Sequence, residues 1–558
     1  MSSSTSRFVA LIAGIAMTIG SASPVPAQDK PLSAQESDPR VMGWMQGFPP
    51  PADKIITQPD SVYFSFPRLR WSVCHLREFL PTEEISRGLG APIALDYLPP
   101  AEFADMRQAI DALTFTPING EAEMTWEDSL YANYTDGMLI IHEGRVVYER
   151  YFGCLEEDGK HAIMSMTKSV TGLLGQILVE EGVLDETALV RDVIPEIGES
   201  AFASATVRQV MDMTTGVQYS ENYADPNADI WIYSRAASPL PKPEDYAGPD
   251  GYWEYLQQVK PDGEHGTQFH YKTINSDMLG WMISRVTGKP VTELASERLW
   301  RRMGAEQDAY QTVDGKGVPF AGGGISAGLR DLGRLGLLML NGGILNGERL
   351  FPAAVVDKIQ QGGDPSKFLG FPTIPNGSYT SQWWIFHNDN GAFAARGVHG
   401  QTIYVDPTAK MVLVRLSSFP QAQNGFIDPT SLPAYQAVAD HLMAQNPQQQ
   451  LTGAEWLIED IAGKPVVADS QASLLFMAGG RLAGNASCNR MIGSFTVQGS
   501  SLKLSPTGIT MMACPEALME QEQALIAFLE MVDRFAIGRN GALVLKNASG
   551  ETLTARRK

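Results

Sequence analysis

Cysteine is scarce in this chain: four occur in 558 residues, with no C-x-x-C pair and no H-E-x-x-H stretch. The usual ligand spacings of a zinc site are therefore missing, and no metal or organic cofactor is expected. Basic residues are also few, 43 against 63 acidic ones, for a net charge of -20. A field of that sign repels phosphate backbones and anionic membrane surfaces, so nucleic acid is not an expected partner. Beyond the N-terminus no stretch approaches the roughly 20 consecutive apolar residues of a membrane span, and no internal repeat is visible. Charged residues make up only 19% and hydrophobic ones 44%, a balance that allows a large core and more than one domain.

Arg7 precedes the apolar stretch Phe8 to Gly20, and small residues follow up to Ala27 before the polar Gln28-Asp29-Lys30. This is the pattern of a secretory signal, residues 1–27, cleaved after Ala27. The mature protein is expected beyond the inner membrane, in the periplasm, with no membrane span left after cleavage. No cysteine follows closely enough to suggest a lipid anchor. Disulfides form in such a compartment, and the cysteines fall into two widely separated pairs. Cys74 is expected to join Cys154, and Cys488 to join Cys514. Residues 28–60, with Phe48-Pro49-Pro50-Pro51, read as an extended lead-in. Asn446-Pro447-Gln448-Gln449-Gln450 marks a linker, 446–452, between a large domain at 61–445 and a small one at 453–558.

The most informative motif is Ser165-Met166-Thr167-Lys168. Positions i and i+3 share one helical face, which sets a hydroxyl beside an amine. After Ser165, Val170, Leu173, Leu174, Ile177 and Leu178 follow the i, i+3, i+4, i+7, i+8 pattern of a core-facing helix ending near Gly182. Ser500-Ser501-Leu502-Lys503 has the same spacing, but it alternates polar and apolar after a glycine and reads as a strand with Ser500 and Lys503 on opposite faces. Taken alone, Ser165 equally suits a helix cap, with Lys168 solvated.

Met138 to Ile141 and Val146 to Tyr151 read as a hairpin just before this helix. Gln382 to Phe386, Val398 to Asp406 and Met411 to Ser418 read as three late strands whose short connections imply antiparallel pairing. Between lie helical runs, among them Thr206 to Met213, Met278 to Val286 and Leu329 to Leu340. The expected large domain is an antiparallel sheet built from both ends of the segment and flanked by a long helical insertion, with Ser165 at the junction.

A serine hydroxyl needs a base, a proton donor for the leaving group and an oxyanion hole. Lys168 serves as base only if its pKa falls about three units below ~10.4, through burial or a neighbouring positive charge. Tyr271, in a polar loop before a helix, can relay the proton. His399-Gly400-Gln401 falls on a strand bordering the same edge of the sheet.

In this order, Ser-x-x-Lys at a helix start, a loop tyrosine and a late polar triad resemble the penicillin-recognising serine hydrolases, the class C β-lactamase and esterase group. Arg70-Trp71 with His75-Leu76, Asp212-Met213, Tyr219 to Tyr223 with Asp225-Pro226, and Gln382-Trp383-Trp384 resemble one branch, the 6-aminohexanoate-dimer hydrolases and related carboxylesterases, through most of residues 64 to 440. The resemblance implies an α/β (α+β) fold of the β-lactamase/transpeptidase type with a helical subdomain, and hydrolysis of a small amide or ester. It implies Ser165 as acylated nucleophile, Lys168 as base and Tyr271 as acid/base partner. Tyr223, Trp384, His399, Gly400 and Gln401 would bind substrate, Tyr223 by contacting its amide. The oxyanion hole would use the Ser165 N–H and one from the strand after His399-Gly400.

Four sites, six residues in all, depart from the pattern. Thr273 replaces the asparagine of β-lactamases, His399-Gly400-Gln401 replaces their Lys-Thr-Gly, Gly322 replaces an asparagine, and Ser234 replaces an acidic residue facing the substrate amine. Two alternatives remain: a non-catalytic binder of peptides or cell-wall fragments on the same scaffold, and an α/β-hydrolase in which Gly324-Ile325-Ser326-Ala327-Gly328 is a nucleophile elbow with Asp389 and His399. Trp456, Leu482 to Asn485, Cys488-Asn489, Gly493 to Phe495 and Thr510 to Cys514 resemble the META domain. This implies a small β-rich module with one helix after Pro515 that buries Leu518, Ala524, Leu525, Phe528, Leu529 and Val532. It carries no catalytic set, and the sequence specifies no partner for it.

Overall fold

The computed structural model describes residues 31–558 apart from 61, 224, 238–239, 446–450, 469, 499–500 and 538–540. The signal segment 1–27, most of the linker and Ser500 lie outside the described residues.

Near-continuous apolar runs mark strands covered on both faces. Strand β1 (Thr135–His142) and strand β2 (Arg145–Tyr151) are such a pair, joined by a tight turn at Glu143-Gly144. Leu139 and Ile141 enter one core while Met138 and Ile140 enter the other. Helix α1 (Met166–Glu180) follows the serine, α2 (Ile274–Thr287) follows Tyr271, and α3 (Leu329–Leu340) returns towards the sheet. The chain then forms β3 (Trp383–Ile385), β4 (Phe393–Gly397), β5 (Gln401–Asp406), β6 (Met411–Ser417) and α4 (Asp428–Gln445).

The main sheet runs Ser378–Thr380, β3, β4, β5, β6, β1, β2, Asp96–Tyr97. Its neighbours are antiparallel except the last pair, which is parallel. The two ends of the domain meet at β6 and β1, where Met411 pairs with His142 and Arg415 with Met138. The strand expected from Val398 starts later, at Gln401, because Val398–Gly400 forms a 3-10 turn with His399 at φ 63° and Gly400 at φ 98°.

Ser326 does not sit on an elbow. It lies in the strand Ile325–Ala327, in the middle of a four-stranded antiparallel sheet, paired with Tyr310 on one side and Ala162 on the other. A nucleophile elbow needs a sharp turn at the end of a parallel strand, so the α/β-hydrolase reading is overturned.

Residues 31–60 are not uniformly extended. They include a short helix, Pro39–Met42, and bury Trp44 and Ile56 against Leu69, Trp71 and Val73. The apolar side chains scattered among the prolines supply that packing. Both expected disulfides are present, Cys74–Cys154 and Cys488–Cys514.

The C-terminal region forms a nine-stranded antiparallel sheet among the described residues, closed by pairing of Glu455–Ile461 with Thr552–Arg557. Its core is its own. The helix Glu516–Glu530 buries Leu525, Phe528 and Leu529, but Leu518 is half-buried and Ala524 is exposed; Val532 is buried as expected, at the start of the next strand rather than on the helix. A short amphipathic helix on a closed sheet covers a narrower stripe than expected from its sequence. Asn489 is consumed internally, bonding Glu522, Thr510 and Met512. Among the described residues no helix is long and apolar enough to cross a membrane.

Candidate active site

Polar residues of α1 fasten it to its surroundings. Thr167 Oγ1 accepts the Ile325 N–H at 3.1 Å, and Thr171 Oγ1 donates to the Ala321 carbonyl at 3.0 Å. On the sheet side, Ser169 Oγ donates to the Gln382 carbonyl at 2.7 Å, and Trp383 Nε1 donates to the Ser169 carbonyl at 3.0 Å. Gly172 lets the helix approach β3, since a Cβ there would run into the Ser381 carbonyl oxygen. These bonds fix the helix start, where Ser165 is 6% exposed.

Lys168 is 1% exposed, and its Nζ donates to Ser165 Oγ at 2.9 Å and to the Gly322 carbonyl. Burial pushes its pKa below the ordinary lysine range, while Glu221 and Asp277 pull it back up. Asp277, on α2, is itself pushed up by burial. Its Oδ1 accepts the Gly322 N–H at 3.2 Å, and its Oδ2 faces the Tyr233 hydroxyl without closing a well-formed hydrogen bond.

The Tyr271 ring centroid lies 5.2 Å from Lys168 Nζ. Burial and then Glu221 push the phenol well above its usual range, and the neighbouring Ser165 hydroxyl works against them. Serine, lysine and tyrosine thus converge. Trp384 packs beside the tyrosine at 5.4 Å, and the Arg396 guanidinium lies over Trp384, paired with Asp428.

Glu221 joins the loops. Its Oε1 accepts from the Tyr223 hydroxyl at 2.6 Å and from Thr273 Oγ1 at 2.7 Å, and its Oε2 accepts the Thr273 N–H at 2.7 Å. Sequence reasoning did not single out Glu221, Asp277 or Arg396. Glu221 was detectable, because it lies inside the Tyr219 to Tyr223 stretch. Asp277 and Arg396 carried no local signal.

The late triad is placed differently from the rest. His399 Nδ1 is bonded to the Phe419 carbonyl at 2.7 Å and its N–H to the Ala422 carbonyl at 3.0 Å. Burial lowers its pKa to about 4, so the ring is neutral. Gln401 is fully buried, its amide donating to the Val398 and Ser417 carbonyls and accepting the Ser417 N–H. Gly400 packs on the Ser417 side chain. These three residues brace the turn. The backbone that reaches the serine is Gly397, where a Cβ would lie 3.0 Å from the Ser165 nitrogen and 2.7 Å from the Ile163 oxygen. Ser234 is half-buried on the helix Asp229–Ala237.

Residues 128–432 match the β-lactamase family, and residues 449–558 match the META domain. A 6-aminohexanoate-dimer hydrolase of Paenarthrobacter ureafaciens is 34% identical over 358 residues, 63% of this chain and 86% of that protein. A solved structure from Bacillus anthracis, assigned as a 6-aminohexanoate-dimer hydrolase, is similar with a TM-score of 0.61 at 32% identity, over 69% of this chain and 97% of that one. With its fold and more than half its length matched, the chain belongs to the β-lactamase family of serine hydrolases and carries a C-terminal META domain.

Proposed function

We propose that this serine hydrolase cleaves a small amide or ester through an acyl-enzyme on Ser165. One observation carries the reading: a buried lysine with a depressed pKa donates to the Ser165 hydroxyl at 2.9 Å. As the neutral amine, Lys168 takes the serine proton as Oγ attacks the carbonyl carbon. Tyr271, kept protonated by burial, relays that proton to the leaving nitrogen or oxygen. The Ser165 N–H and, in place of the expected N–H after His399-Gly400, the Val398 N–H stabilise the oxyanion, because Gly397 is the backbone that lies against Ser165. Water then attacks the acyl carbon by the reverse proton path and restores the serine. Tyr223 and Trp384 contact the substrate.

The lineage of 6-aminohexanoate-dimer hydrolases makes linear amides with a free amino end the first substrates to test. Ser234 stands where that pattern carries an acidic residue and Gly322 where it carries an asparagine, so a panel of esters, linear amides and β-lactams, with the 6-aminohexanoate dimer among them, identifies the acyl donor. Export by residues 1–27 is part of the same reading, supported by the two disulfides. The META domain serves as a stabilising or binding appendage. Intact-mass measurement after treatment with a fluorophosphonate tests the nucleophile. One adduct is expected on the wild type and on Ser326→Ala, and none on Ser165→Ala. An adduct surviving Ser165→Ala defeats the assignment.

A further inference from the structure

We infer that a cavity behind Tyr271 is a second ligand site, built for a zwitterionic amino acid with an apolar body. The helix Val207–Met211 with its cap Asp212, the 3-10 turn Pro365–Lys367 and the edge strand Ser378–Thr380 border about 340 Å³ of space. Small-ligand sites run from about 300 to 1,000 Å³, so a compact molecule fits. Neither Ser165, Lys168 nor Tyr271 lines this space. One layer of rings stands between it and them: Tyr379, in the cavity wall, meets Tyr271 edge-on with centroids 6.2 Å apart, and Trp384 at 5.2 Å.

The polar groups of the wall differ in what they can still offer. Arg208 engages all five of its N–H groups within the protein, on Glu186, Gln176, Asp212 and Ser381. Asp212 Oδ1 accepts from Arg208, from the Thr380 hydroxyl at 2.9 Å and from the Ser381 N–H at 2.9 Å, while its Oδ2 has no partner among the described residues. Gln209 Oε1 accepts the Thr206 N–H at 2.8 Å, which leaves its Nε2 as an unused donor. Lys367 Nζ forms no ion pair or hydrogen bond among the described residues. Asp364 stands on the exposed rim, where Ser366 holds its Oδ1.

The rest of the wall is aromatic. Phe269 stacks on Phe368 at 5.2 Å and packs on Tyr379 at 4.7 Å. The Tyr379 hydroxyl is shielded from solvent and has no hydrogen-bond partner among the described residues. A buried polar group left so is costly, and a polar ligand atom beside it removes the cost. A plain anion in this cavity faces the unused Asp212 oxygen, and a plain cation faces Lys367. A molecule with both charges answers both: its ammonium donates to Asp212 Oδ2, its carboxylate accepts from Lys367 Nζ and Gln209 Nε2, and its carbon chain lies on the rings.

The test is calorimetric titration of the full chain with leucine and with 6-aminohexanoate, whose charges lie close together and far apart, and with hexylamine and hexanoate as carriers of one charge each. At least one of the two amino acids should bind, about tenfold or more tighter than either singly charged probe, the scale of one charge-assisted hydrogen bond. Lys367→Met and Asp212→Asn should each weaken that binding by about tenfold. Both residues line the cavity, so the loss places the ligand there. Asparagine keeps Oδ1 for Thr380 and Ser381, and Lys367 has no side-chain partner to lose, so Lys367→Met decides the matter if Asp212→Asn folds poorly. Hexylamine or hexanoate binding as tightly as the amino acids overturns the inference. So does a Kd weaker than about 1 mM for both amino acids, or an affinity that a folded variant of either residue leaves unchanged.

Discussion

Replacing Asp277 by asparagine tests what sets the proton affinity of Lys168. Burial lowers the lysine, and the carboxylates of Glu221 and Asp277 raise it. Asparagine keeps an oxygen for the Gly322 N–H, held at 3.2 Å in the wild type, and removes the charge. With one anion gone the ammonium form is less favoured, so the lysine pKa falls further and more neutral amine is present at pH 7. Two unit charges 4 Å apart are worth about 4 kcal/mol at an effective dielectric of ~20. Here Gly322 stands between the groups, accepting from one and donating to the other, and burial keeps Asp277 partly protonated. A shift of about one pH unit, ~1.4 kcal/mol, is therefore expected. The assay is kcat/KM for a 4-nitrophenyl ester from about pH 5.5 to 9.5, which reports the free enzyme. The wild-type rate should climb through a limb below the ordinary lysine value of 10.5, and the variant's limb should sit about one unit lower. A limb that stays or moves up refutes the electrostatic account. Stability supplies the second sign. A raised Asp277 pKa means that the folded state loses stability as pH rises from 3.8 through the folded value. The gain from asparagine should therefore be largest above that window and vanish in acid.

Lys168→Ala and Tyr271→Phe should each slow ester turnover by about two to four orders of magnitude, and a near-wild-type rate would remove that residue from the mechanism. Gly172→Ala should cost about 1–3 kcal/mol in urea denaturation, because its Cβ meets the Ser381 backbone rather than a movable side chain. Serine at both Cys74 and Cys154 opens a loop spanning 80 residues and should cost on the order of 4 kcal/mol in the chain-entropy account. A loss below about 1 kcal/mol would show that the unfolded chain is held by other means.

The parts of the site legible in sequence are those whose chemistry is local. Ser165 and Lys168 declare themselves because three residues and a helical stripe suffice to bring them together, and Leu502 and Leu504, buried while Lys503 is exposed, identify the second Ser-x-x-Lys match as a strand. The hairpin β1–β2 and the pairing of β5 with β6 follow from short turns. What could not be read arises from long-range packing. Asp277 reaches the lysine only because α2 lies against α1, and Gly397 reaches Ser165 only because a left-handed residue at His399 delays the next strand. His399 and Gln401 are read as ligands in sequence; the structure bonds His399 Nδ1 to the Phe419 carbonyl and the Gln401 amide to Ser417, partners about one strand away along the chain.

Two of the departures from the family pattern are one packing solution. A Cβ on Gly322 would lie 2.5 Å from Thr273 Cγ2 and 3.0 Å from Asp277 Oδ2. The threonine methyl therefore occupies the space an asparagine at 322 would need, while its hydroxyl and N–H turn to Glu221. Wall position 322 becomes backbone alone, and its carbonyl holds Lys168. Whatever polar recognition an asparagine would have supplied there is lost together with the acidic residue replaced by Ser234. The Glu221–Tyr223 pair is held by the same threonine, whose N–H and hydroxyl both bond the carboxylate.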